Sequence, residues 1–116
     1  MIIWLIVAAA IGGLTRFTVE YFLPPVGTQA FPRATLIVNV VGTFLLGIFL
    51  AAPHDVRLVV GSGFCGALTT FSGVSLQLHR RFSAGDRSAG VRYLGSTLVL
   101  GLAAAAVGMA LGTHLF

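Results

Sequence analysis

The stretch GSGFCGALTTFSGV, residues 61–74, decides how this chain is read. It sets four glycines, four hydroxyl side chains and two aromatics inside a run otherwise apolar enough for a membrane-buried helix. The hydrocarbon core of a bilayer offers the backbone no hydrogen bonds, so irregular chain at that depth persists only where protein wraps it or where it lines a water or ion cavity. Gly61, Gly63, Gly66 and Gly73 weaken a helix, while Thr69, Thr70 and Ser72 are able to replace or cap the backbone bonds it loses. A break within residues 66–70 is therefore expected. Such a break frees carbonyls, which suit a small hard cation, and helix N-terminal amides, which suit an anion. A continuous glycine-rich packing helix is the alternative, but the hydroxyls cluster where the glycines do.

The surroundings are membrane-like. Of 116 residues, 57% are hydrophobic and only 9% charged, and the mean hydropathy is +1.00. A spanning helix needs about 20 largely apolar residues, and residues 1–23, 34–52, 56–78 and 90–115 supply four candidates. Between them lie Pro24, Pro25, Pro32, Pro53 and a polar run over residues 83–88, all helix-ending signals. The expectation is an all-α membrane protein: one domain of four transmembrane helices over residues 1–116, the third helix broken. The N-terminal run has neither a basic start nor a small-residue cleavage site, so no removable signal peptide is expected. Four helices cannot wrap much around a polar path, and so short a chain builds little core alone, which predicts an oligomer, most simply a dimer.

The net charge of +4 comes from seven arginines and no lysine. In a membrane protein this concerns orientation first, because basic residues near helix ends favour the cytoplasm; nucleic-acid binding does not follow from it. Arg33, Arg80, Arg81, Arg87 and Arg92 fall in the first and third loops, with Arg57 alone on the side of the termini. The bias predicts termini outside and the third loop in the cytoplasm. A single cysteine, Cys65, allows neither an intrachain disulfide nor a metal cluster of the usual spacing, and reads as a small packed residue. His54, His79 and His114 sit at predicted helix ends without a carboxylate partner in the membrane, so no catalytic constellation is present and the chain is not read as an enzyme.

Polar residues recur at helical spacing elsewhere. Thr35, Asn39 and Thr43 stack on one face of the second segment, and Tyr93 and Thr97 do the same in the fourth. Hydroxyls often serve as interhelical glue or bond their own backbone. Asn39 stands between glue and site, since its amide brings two donors that need acceptors at depth. Phe71 follows the two threonines; a packing role is usual, yet a ring edge is the positive end of the quadrupole and can face an anion. Gly108 and Gly112 have the spacing that permits close helix packing. In the first segment Gly12-Gly13 precede Arg16, with Glu20 a turn later. An Arg16–Glu20 pair at the helix end, and an Arg16 that attracts anions at a vestibule, both fit.

Taken together, GG-x-x-R at residues 12–16, TLIVNVVGTFLLG at 35–47, GFCGALTTFS at 63–72, and Tyr93 with Thr97 resemble the Fluc (CrcB) family of fluoride channels. The third motif is the specific one, and the match runs through all four segments in order. The resemblance implies a dimer of antiparallel subunits, two narrow fluoride pathways, and a structural, untransported sodium ion held by backbone carbonyls of the broken third helices. By motif position, Gly66 and Thr69 would supply sodium ligands. Asn39 would be the pore amide, Phe71 a fluoride-facing aromatic, Tyr93 and Thr97 part of a polar track, Ser72 a further hydroxyl beside it, and Arg16 the family arginine. The implied role is passive export of cytoplasmic fluoride across a prokaryotic plasma membrane, lowering its toxicity.

Two departures stand out. Val74 occupies the place of the motif's second aromatic, and Gly101 that of a polar residue one turn past Thr97. The arginine bias also sits badly with a homodimer whose subunits insert both ways. The motif departures and the charge bias together point to one half of a heterodimer, paired with an oppositely oriented paralogue that supplies the missing aromatic. Two rival readings are a small multidrug-resistance-type exporter, which needs an embedded carboxylate and has only Glu20 to offer, and a non-transporting accessory or scaffold subunit.

Overall fold

A computed structural model describes residues 1–23 and 32–116, and every described element is helical. Helix α1 is Ile2–Phe22 and α2 is Arg33–Phe49. The next helix, α3, runs through His54–Val56, a wide π-helical stretch Arg57–Cys65, and a final turn Gly66–Leu68. After two extended residues come α4, Phe71–Ser83, and α5, Arg87–Leu115.

By length and composition α1, α5 and the α3–α4 segment are apolar enough to cross a bilayer, whereas α2 is apolar but shorter. Their outward faces are hydrophobic, from Ile2 to Phe22 on α1 and from Val91 to Leu115 on α5. That is the surface a lipid environment calls for. The expected breakers Pro24 and Pro25 lie outside the described residues; Pro32 directly precedes α2, where a missing N–H costs nothing.

Glycine sets the packing. The most extensive helix contact is α2 on α5, and a Cβ on Gly108 or Gly112 would collide with the carbonyls of Phe44 and Ile48. On the other flank α1 lies against the π-helical stretch, where a Cβ on Gly12 would collide with the Phe64 carbonyl and one on Gly63 would come within 3.1 Å of Ala8 and Leu5. The glycine spacing expected to permit close packing does so here.

The α4–α5 connection is shorter than the polar run 83–88 suggested. Gly85, at φ +81°, ends α4 in the left-handed conformation, with the Asp86 N–H bonded back to the Arg81 carbonyl at 3.0 Å. Asp86 then caps α5 by accepting from the Ala89 N–H at 3.1 Å. Arg81, expected among loop charges, is instead in the last turn of α4 and only 4% exposed. Its Nη1 donates to the Gln77 carbonyl at 3.1 Å and to Gln77 Oε1 at 2.7 Å. The guanidinium lies 5.9 Å from the Tyr93 ring centroid, and Tyr93 is 0% exposed.

Candidate functional site

The break falls at Thr69 and Thr70, both in extended conformation, at ψ 157° and 119°. A helix interrupted there gives up bonds that must be replaced. The Thr70 N–H, which an unbroken helix would send to the Gly66 carbonyl, donates to Asn39 Oδ1 of α2 at 2.7 Å. In return Asn39 Nδ2 donates to the Thr70 carbonyl at 3.1 Å. One side-chain amide thus pairs with both polar groups of one residue's backbone. The Gly73 N–H, due to the Thr69 carbonyl in a continuous helix, instead donates to Thr70 Oγ1 at 3.0 Å and so caps α4. Thr70 Oγ1 also lies 3.2 Å from Ser72 Oγ, and the Thr69 hydroxyl donates to the Cys65 carbonyl at 3.0 Å.

The Gly66 and Thr69 carbonyls thereby lose their helical donors, as do those of Ala67 and Leu68 at the end of the helix. Neutral backbone oxygens of this kind suit a hard cation such as sodium. Gly66 has nothing within 4 Å of where a Cβ would sit, which leaves room beside it.

Two clefts meet at the break. The first, of about 490 Å³, is lined by Arg16, Glu20, Thr35, Thr70, Ser72, Gln77 and Arg80 among others. The second, of about 550 Å³, is lined by Asn39, Thr43, Gly66, Thr69, Thr70, Phe71, Val74 and Thr97 among others. Thr70 belongs to both. The candidate residues therefore divide: Asn39, Phe71, Thr97, Gly66 and Thr69 share the second cleft, while Arg16 and Ser72 face the first. Tyr93 lines neither; it is buried under Arg81. Arg16 and Glu20 line the first cleft without an ion pair between them among the described residues.

Each side chain has a distinct standing. Asn39 spends one amide hydrogen on the Thr70 carbonyl and keeps the other. Thr43 donates to the Asn39 carbonyl one turn back at 2.6 Å, bonding its own backbone. Thr97 Oγ1 is buried, with the Tyr93 hydroxyl one turn earlier as its hydrogen-bonding neighbour. Phe71 is 86% exposed and Val74 8%. Gly101 has open space around it.

Sequence reasoning missed one residue that builds this site and one that covers Tyr93 away from it. Gly42 is the α2 position where a Cβ would run into the Thr69 methyl; its place three residues after Asn39 was the available signal. Arg81 was counted as a loop charge, and nothing local in the sequence marks it as buried.

Comparison with known proteins agrees with this picture. The family described as "CrcB-like protein, Camphor Resistance (CrcB)" matches residues 3–109. The chain is 38% identical to a protein of Deinococcus radiodurans named "Fluoride-specific ion channel FluC", over 97% of this chain and 95% of that one. It is 44% identical to "Fluoride-specific ion channel FluC 2" of Parasynechococcus marenigrum, over 94% of this chain and 78% of the relative. A third relative, the "Fluoride-specific ion channel FluC" of Acidobacterium capsulatum, is 36% identical over 97% and 96%. A helix broken between two polar clefts, and a match across nearly the whole length, place this chain in the CrcB-like protein family.

Proposed function

We propose that this chain is a subunit of a passive, fluoride-selective channel in a prokaryotic plasma membrane, exporting cytoplasmic fluoride. The observation that carries the reading is the second cleft, where hydrogen-bond donors gather in an apolar wall without a fixed full charge. Fluoride is small and strongly hydrated. A pore must replace its water with donors, yet bind it weakly enough to let it leave. The remaining amide hydrogen of Asn39, the Thr97 hydroxyl and the edge of Phe71 are donors of that kind. Ser72 and Arg16 line the neighbouring cleft, where a guanidinium raises the local anion concentration. Tyr93, one turn before Thr97 and fully buried, supports the track from behind without lining the cleft.

The working unit is an antiparallel dimer. Phe71, exposed at the edge of the cleft, supports a second chain completing the pathway. The Gly66 and Thr69 carbonyls of each subunit hold a structural sodium ion, which neutralises the carbonyl dipoles at the break and is not transported. The second subunit is this chain or an oppositely oriented paralogue. Val74, buried in the cleft where the family motif carries an aromatic, and the arginine bias favour the paralogue. The same bias supports termini outside. A proton-coupled exporter finds no embedded acid here, since Glu20 is exposed at the first cleft.

The test is fluoride efflux, read with a fluoride electrode, from liposomes holding the protein alone and then with its paralogue, chloride serving as control. Fluoride-selective flux from the single protein supports a self-sufficient channel. Flux only with the paralogue supports an obligate half, and silence in both overturns the channel in favour of a scaffold.

A further inference from the structure

Asn39 was expected to act as a pore amide, but its two shortest polar contacts across helices go to the backbone of the break, not to the cleft. Thr70 N–H to Oδ1 at 2.7 Å and Nδ2 to the Thr70 carbonyl at 3.1 Å form a two-point clamp between α2 and the α3–α4 junction. Those bonds have a geometric consequence. With its N–H committed to Asn39, Thr70 cannot return to the Gly66 carbonyl, and the extended conformation it holds turns the Thr69 carbonyl away from the α4 ladder. Gly42, three residues along α2, admits the Thr69 methyl, so the same helix fixes both residues of the break.

We propose that Asn39 is a positioning residue for the cation site: its clamp on the Thr70 peptide sets the Gly66 and Thr69 carbonyls in the arrangement that takes sodium. This rests on the channel reading above and deepens it. One side chain then serves two ions, orienting carbonyls for the cation through Oδ1 and Nδ2 while its remaining hydrogen faces the anion path. Energetic coupling between two sites is reciprocal and commonly amounts to about tenfold in affinity. No other described side chain reaches the Thr70 N–H.

The experiment is a sodium titration of thermal unfolding on the purified full-length protein, with N-methylglucamine replacing sodium at constant ionic strength. The wild-type protein should gain stability with a definable half-maximal sodium concentration. Asn39→Ser, which is too short to span both Thr70 groups, should raise that concentration by about tenfold or more. Thr18→Val, which removes an exposed hydroxyl bonded to the Leu14 carbonyl one turn back, should leave it unchanged. An unchanged sodium midpoint in Asn39→Ser overturns the proposal. Should that variant not fold, amide hydrogen exchange of the wild-type peptide containing Thr70 decides: faster exchange on sodium removal supports the clamp, and identical exchange overturns it. Absence of any sodium stabilisation in the wild-type protein removes the cation site itself, while the efflux assay tests fluoride conduction independently.

Discussion

Gly42 faces Thr69 so closely that a single Cβ at position 42 would overlap the Thr69 methyl. The broken segment is thus fitted to α2 at two points one turn apart, Asn39 by hydrogen bonds and Gly42 by the lack of a side chain. Gly42→Ala should cost about 1–3 kcal/mol, the usual range for overpacking, and should lower fluoride flux because Thr69 must move. Gly13→Ala meets nothing within 4 Å and should be neutral, or stabilising by up to about 1 kcal/mol from helix propensity. Thermal unfolding in detergent together with liposome efflux checks both.

Thr97→Val separates stability from conduction. The Thr97 hydroxyl is buried beside that of Tyr93, and exchanging it for a methyl removes at most one neutral hydrogen bond, worth about 1 kcal/mol. The variant should stay within about 1 kcal/mol of wild-type stability yet conduct fluoride at least about tenfold more slowly, a barrier increase of about 1.4 kcal/mol. A variant that fails to fold, or that conducts normally, contradicts this assignment.

Phe71→Ala should behave similarly for another reason. At 86% exposure on the single chain, the ring contributes little to the subunit's own fold, so subunit stability should change by no more than about 0.5 kcal/mol. Flux, and dimer dissociation measured by subunit-exchange fluorescence, should both change.

Arg81→Ala tests the buried guanidinium. Its removal abandons two bonds to Gln77 and the face of Tyr93, and bonds to charged groups are worth about 1.5–3 kcal/mol each at most. A clear loss of thermal stability is expected, larger than for Arg80→Ala, which lies exposed along the first cleft.

Much of this was legible beforehand because bilayer physics leaves few options. Long apolar runs had to be helices, and a cluster of glycine with hydroxyls inside one of them favoured a break over a continuous packing helix; the break appears at Thr69 and Thr70. The capping role of Thr70 was likewise readable, whereas the Thr69 hydroxyl bonds a Cys65 carbonyl that already holds its backbone partner. The π-helical stretch before the break was not readable: a wider helical turn uses the same residues and differs only in which carbonyl each N–H selects, as when the Gly66 N–H reaches back to Gly61. Nor was the Asn39 clamp. Spacing put Asn39 on a polar face, but which backbone group its amide would meet depends on how α2 and the break are docked. Arg81 escaped for the same reason, because burial of a charge at a helix end is decided by the neighbours that cover it, here Tyr93 from α5.

The clamp on Thr70 also bears on how the chain is made. A peptide with loose polar ends is expensive in lipid, and here the group that satisfies it comes from a helix 31 residues earlier. Synthesis proceeds from the N-terminus, so Asn39 is already in the nascent chain when Thr70 leaves the ribosome. The third helix therefore need never sit broken and unaccompanied in the membrane: its template is delivered ahead of it.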